Sequence, residues 1–154
     1  MDIEPLKTII IMNLKPVHIL LVEDNEGDIV LTKDAFEESK IQTKISVSKN
    51  GRDALDFLFK RGVFAAVERP DLILLDINIP VFSGHEVLKV IKEDPDLRRI
   101  PVIILTTSSN TKDINLAYEN HSNSYITKPI DMDEFIKAML KIEEFWFQLV
   151  KLPV

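Results

Sequence analysis

The stretch Asp71-Leu-Ile-Leu-Leu-Asp-Ile-Asn-Ile-Pro80 constrains the fold more than any other part of this 154-residue chain. Its aliphatic run, Leu72 to Leu75, is too short for a helix and shows no polar alternation. It reads as a strand buried on both faces, the kind found in a parallel sheet covered by helices. The strand runs straight into Asp76, and Pro80 stops regular structure soon after. A carboxylate at the carboxyl end of a buried parallel strand stands where open α/β sheets bind their ligands. An aspartate there is also a common turn former. What separates the two readings is whether other groups converge on Asp76.

Two further runs have the same character. Val17-His-Ile-Leu-Leu-Val22 ends in Glu23-Asp24-Asn25, and Pro101-Val-Ile-Ile-Leu105 ends in Thr106-Thr107-Ser108. Residues 43–47 alternate like a short strand, and Ser124-Tyr-Ile-Thr127 leads into Lys128-Pro129. Helical spacing predicts helices between these strands. One covers 26–39, with Ile29, Leu31, Ala35 and Phe36 apolar and acids in its first turn. A second covers 51–60, capped by Asn50, with apolar Ala54, Leu55, Leu58 and Phe59 at helical spacing, and residues 61–69 form a loop. A third follows Ser83, has Val87, Leu88, Val90 and Ile91 as its apolar stripe, and ends before Asp94-Pro95. A weaker helix over 111–119 closes at Asn120 or His121, and a last one runs over 131–149.

Strands alternating with helices, with no repeat or linker, make a doubly wound α/β domain with a mostly parallel sheet. Right-handed crossovers bring every strand's carboxyl end to one edge. That edge carries Glu23, Asp24, Asp76, Thr106, Thr107 and Lys128. Carboxylates crowded together repel one another unless a cation joins them. Hard oxygen ligands suit Mg²⁺, which keeps waters for a phosphoryl group. Lys128 offers a mobile positive charge and Thr106 a hydroxyl donor, both of which an anionic phosphoryl oxygen needs. The combination reads as a phosphoryl-transfer site with a carboxylate nucleophile.

Composition narrows the setting. The length suits one domain, expected over residues 14–150, and residues 1–13 are expected to be peripheral. A net charge of −6 argues against general affinity for nucleic acid or anionic membrane. With no cysteine there is neither a disulfide framework nor a thiolate zinc site, and a cytoplasmic home is expected. Thr8-Ile-Ile-Ile-Met12 is too short for a signal or a membrane span, and either Met1 or Met12 fits as the start.

The chain resembles the receiver domains of two-component response regulators over about residues 17–146. Glu23-Asp24, Asp76 within Leu-Asp-Ile-Asn-Ile-Pro, Gly84, Thr106 after Val-Ile-Ile-Leu, and Lys128-Pro129 carry the resemblance. A narrower likeness is to the single-domain regulators that partner bacterial phytochromes. It rests on Arg69-Pro-Asp-Leu-Ile-Leu-Leu-Asp76, Ile104-Leu-Thr-Thr-Ser108 and Ile142-Glu-Glu-Phe-Trp146. The resemblance implies a flavodoxin-like (βα)5 fold with strand order 2-1-3-4-5. It implies that Asp76 takes a phosphoryl group from the phosphohistidine of a sensor kinase. Asp24, Asp76 and the Asn78 carbonyl would bind Mg²⁺, with Glu23 nearby or acting through water. Lys128 would pair with the phosphoryl group, Thr106 would move to hydrogen-bond it, and Tyr125 would swing inward with Thr106. The surface of the fourth helix, fifth strand and fifth helix would then report the switch.

Two positions depart from the family's commoner pattern. Glu23 replaces an aspartate, which lengthens one ligand arm, and Thr107 stands where alanine or glycine is frequent. The extra bulk at Thr107 is expected to hinder water and slow dephosphorylation. Two other readings compete with a phosphorelay protein. An aspartyl-nucleophile enzyme of the dehalogenase-like phosphatase type needs a second acid at position 78, where Asn78 stands. An interaction module without phosphorylation would not need the acid, lysine and hydroxyl groups that meet here. His18, His85 and His121 have no metal-ligand spacing and are expected to be structural or solvated.

The final helix carries two apolar stripes. Phe135, Met139, Ile142, Trp146 and Leu149 suit the core, while Ile136, Leu140 and Phe147 lie about a third of a turn away. One side of a sheet buries one stripe, so the second predicts a partner surface, here a homodimer. The competing occupant is the amino-terminal Ile9-Ile-Ile11 folded back over it.

Overall fold

A computed structural model of the chain describes residues 16–39, 41–107 and 124–141. In chain order the elements are β1 (Val17–Val22), α1 (Glu26–Glu38), β2 (Thr43–Ser48), α2 (Gly51–Leu58) and β3 (Leu72–Asp76). They continue with α3 (Gly84–Glu93), β4 (Val102–Thr106), β5 (Ser124–Thr127) and α4 (Met132–Lys141). The five strands form one sheet in the order β2-β1-β3-β4-β5, and every adjacent pair is parallel. This is the expected flavodoxin-like doubly wound order.

β1, β3 and β4 are buried on both faces, as their unbroken apolar runs require. Alternation sorts their side chains into two cores. Leu20, Val22, Ile73, Leu75, Val102 and Ile104 pack with Ala54, Phe57, Leu58, Val87, Leu88 and Ile91 beneath α2 and α3. Ile19, Leu21, Leu72, Leu74, Ile103, Leu105 and Ile126 pack with Ile29 and Phe36 of α1 and Phe135 and Ala138 of α4. An edge-to-face contact between Phe36 and Phe135, centroids 4.9 Å apart, ties those two helices together.

Each helix starts where a side-chain oxygen takes an otherwise unpartnered amide. Asn25 accepts from the Asp28 N–H at 2.9 Å, Asn50 from Asp53 at 2.7 Å and Ser83 from Glu86 at 3.3 Å. Asp131 accepts from the Asp133 N–H at 2.8 Å just before α4.

On α1, α2 and α3 the buried face is narrower than the helix's set of apolar residues. On α1 the buried face is Ile29, Thr32 and Phe36, a three-then-four spacing. Leu31 stands on the opposite side, 55% exposed, and Ala35 is half-buried. On α2, Phe57 is buried three residues after Ala54, while Leu55 and Phe59 are half-buried. Val90 of α3 is exposed beside buried Val87, Leu88 and Ile91. The expected loop over 61–69 contains a single 3-10 turn, Gly62–Phe64. The extension over residues 1–13, the helix over 111–119 and its closing residues Asn120 and His121 lie outside the described residues.

Two of the histidines are described. His18 is 4% exposed, its Nε2 2.8 Å from the Ser46 hydroxyl of β2, so it is structural. His85 is half-buried near the start of α3.

Candidate functional site

The parallel register gathers the charged residues. Val22 pairs with Leu75, so the next residues, Glu23 and Asp76, come level at the carboxyl edge. By alternation both point to the α1 side of the sheet, the side of Leu21 and Leu74. Thr106 pairs with Thr127, which sets Lys128 one step beyond the end of β5, and the Lys128 N–H donates to the Thr106 carbonyl at 2.8 Å. The Lys128–Pro129 peptide is cis.

The loop after Asp76 is held close to it. The Asn78 N–H donates to Asp76 Oδ1 at 3.1 Å, and the Gly84 N–H donates to the Ile77 carbonyl at 2.9 Å. A Cβ at Gly84 would lie 2.4 Å from the Asp76 carbonyl oxygen, closer than any real contact. Glycine at position 84 therefore lets α3 begin against the backbone of the acidic residue. Gly51 plays a similar part, its missing Cβ leaving room for the Phe82 carbonyl.

The Lys128 ammonium is the centre of the charge network. Its Nζ lies 2.9 Å from Asp76 Oδ2 and 3.1 Å from Asp28 Oδ2, and it forms an ion pair with Glu23 Oε1. The side chains of Lys128, Glu23 and Asp76 are 8%, 1% and 5% exposed. The second Glu23 oxygen accepts the Asp24 N–H at 3.1 Å and the Asn25 N–H at 3.4 Å. Burial, followed by the hydrogen bond with Asp76, pushes the Glu23 carboxyl up to about 7, and Lys128 partly opposes this. Burial pulls the Lys128 ammonium downward, but its bonds to Glu23, Asp76 and Asp28 raise it overall.

Glu23, Asp24 and Asp76 each present a carboxylate oxygen within 4.8 Å of the others. Asp24 is exposed, so the group opens to solvent on one side. Three hard anionic donors at that spacing, one of them held near neutral pH by burial, fit a small divalent cation that keeps some of its waters. Among the described residues this is the only such group.

The residues expected to act as a switch lie one strand away. Thr106 is buried, 1% exposed, and shares the parity of Val102 and Ile104, the sheet face opposite Lys128. Tyr125 pairs with Ile104 and packs half-buried on that same face, a diagonal neighbour of Thr106 across β4 and β5. Thr107 is exposed at the rim. Of the expected partner stripe, Ile136 is exposed, whereas the Leu140 side chain and Phe147 lie outside the described residues. Asp28 was not singled out from the sequence. Its available signal was position alone, an acid three residues after the N-cap of the helix that leaves β1.

The family model described as "Response regulator receiver domain" matches residues 19–140. The response regulator Rcp1 of Synechocystis sp. is 43% identical over 138 residues, covering 90% of this chain and 94% of that protein. The phosphorylated cyanobacterial phytochrome response regulator RcpA superposes with a TM-score of 0.73 at 43% identity, covering 86% of this chain and 95% of that one. Rcp1 in its Mn²⁺-bound form superposes with a TM-score of 0.72 at 42% identity, covering 90% and 100%. With the fold, the acidic edge and the family match in agreement, the chain belongs to the response regulator receiver domains of two-component signalling.

Proposed function

We propose that Asp76 is the phosphoacceptor of this regulator and that a sensor histidine kinase, of the phytochrome type, is its donor. The observation that carries this reading is the Asp76 carboxylate, buried at a strand end with Lys128 Nζ 2.9 Å away. An Asp76 oxygen attacks the phosphorus of the phosphohistidine, the P–N bond breaks and the imidazole leaves with its electron pair. Lys128 turns from the free carboxylate to the incoming phosphoryl oxygens and neutralises them. Asp24, Asp76 and the Asn78 carbonyl would hold Mg²⁺, with Glu23 as a direct or water-mediated ligand. The ion, when bound, offsets the negative charge shared by the phosphoryl group and the carboxylates.

Thr106, which starts on the other face of the sheet, then moves across the strand end to donate its hydroxyl to the phosphoryl group. Tyr125, on the face it leaves, follows it inward. The outcome is a changed binding surface rather than turnover of an external substrate, so the protein acts as a cytoplasmic signalling relay and not as an enzyme. Similarity to RcpA and Rcp1 supports the phytochrome partner. Radiolabelled phosphoryl transfer from an autophosphorylated phytochrome kinase tests the reading. Label should pass to the wild type and not to Asp76→Asn; equal labelling of both would sink it.

The Thr107 side chain, exposed beside the pocket, hinders the water that hydrolyses the acyl phosphate. Thr107→Ala should shorten the phosphoryl half-life, and an unchanged or longer half-life would count against this role. The homodimer surface expected of Ile136, Leu140 and Phe147 belongs to this reading, and of the three side chains only Ile136 is described, exposed on α4. Sedimentation that finds a monomer at high concentration, phosphorylated and not, would remove the dimer from the account.

A further inference from the structure

Lys128 has three N–H donors, and three carboxylates from three different elements accept or pair with them. Glu23 closes β1, Asp76 closes β3, and Asp28 lies in the first turn of α1. Two of these, Glu23 and Asp76, belong to the group whose oxygens lie within 4.8 Å of one another together with Asp24. Asp28 does not belong to it, although its Oδ2 is 3.1 Å from Lys128. A divalent cation and the lysine therefore compete for Glu23 and Asp76 but not for Asp28.

We infer that Asp28 is a positioning residue that retains the Lys128 ammonium when a divalent cation takes over Glu23 and Asp76. Three observations support it. Asp28 is fixed by local structure, since its own N–H is held by the Asn25 cap at 2.9 Å, so its carboxylate is presented from a rigid turn. The Asp28 side chain is 30% exposed, the most solvated of the three partners, so it holds a charge there with the smallest desolvation penalty. Lys128 is nearly buried, and among the described residues its carboxylate partners other than Asp28 are the two that the metal would take. Without Asp28, every cation that binds must displace the lysine from both of those partners. This role rests on the proposed metal-dependent function and adds to it a residue outside the ligand set.

Calorimetric titration of the unphosphorylated protein with Mg²⁺ separates the possibilities. Asp28→Asn should weaken Mg²⁺ binding by roughly three- to tenfold, the range for a partly exposed charge-assisted bond. Asp28→Glu should recover most of that loss. Glu26→Gln removes an acid from the same helical turn, but Glu26 pairs with Lys49, so its effect should stay below about twofold. Equal weakening by Asp28→Asn and Glu26→Gln would reduce Asp28 to general electrostatics and overturn the inference. So would wild-type affinity in Asp28→Asn. A wild type that binds no Mg²⁺ at all overturns the proposed function itself, and this inference with it.

Discussion

The two ends of β1 solve the same problem in opposite ways. At its amino end His18 is buried against Ser46, and its N–H donates to Asp71 Oδ2 at 2.8 Å. Burial lowers its pKa, which favours the neutral imidazole. At the carboxyl end Glu23 is equally buried, but it shares one lysine with Asp76 and Asp28 while Asp24 stands beside it. One end is buried around a single uncharged ring. The other sets four carboxylates, Glu23, Asp24, Asp28 and Asp76, around one lysine, an arrangement that favours a cation.

The sharpest way to break this comparison is to remove the lysine. Lys128→Met leaves Glu23 and Asp76 buried together without a counter-ion and should destabilise the metal-free protein by about 3–5 kcal/mol. Mg²⁺ should restore part of that loss. Denaturant unfolding with and without Mg²⁺ reads both effects, and a loss that Mg²⁺ does not touch would separate the lysine from the metal site.

Next in size is Gly84→Ala. Its methyl would meet the Asp76 carbonyl at 2.4 Å, where the obstacle is backbone and cannot rotate away. We expect a loss of about 1–3 kcal/mol in thermal unfolding, together with weaker Mg²⁺ binding, since the same backbone leads to Asn78. A stable protein with normal metal affinity would show that the loop tolerates a shift.

These positions also mark what was legible in the chain. The buried strands, the parallel sheet and the convergence of Glu23, Asp24, Asp76 and Lys128 follow from strand and helix patterns that alternate along the chain, each strand ending in a charged or hydroxyl residue. The strand order came with the family resemblance. Gly84 carried a family signature, but its physical reason, a 2.4 Å approach to a carbonyl, needed coordinates. Asp28 was hidden because first-turn acids are common on helices for dipole reasons alone. Its partner is one hundred residues away in sequence, and only the fold brings them together. Val90, expected in the apolar stripe of the third helix, is exposed because its angular position lies off the buried face.

The smallest expected effect lies at the quiet end. The unfolded chain's His18 takes up a proton near its ordinary value of 6.5, whereas the buried imidazole resists it. Stability from this residue is therefore full above about pH 6.5 and declines as pH falls below it. The difference in melting temperature between wild type and His18→Gln should shift against the wild type as pH drops from 7.5 to about 5.5. A pH-independent difference would mean that His18 is not held neutral, and the contrast between the two ends of β1 would weaken.

The central claim is that Asp76, held by Lys128 at the acidic edge, is the phosphoryl acceptor. Intact-mass measurement after incubation with a small acyl phosphate and Mg²⁺ tests it without a kinase. The account predicts one added phosphoryl group on the wild type, lost when Mg²⁺ is chelated beforehand and absent from Asp76→Asn. No mass gain in the wild type, or an equal gain in Asp76→Asn, would contradict it.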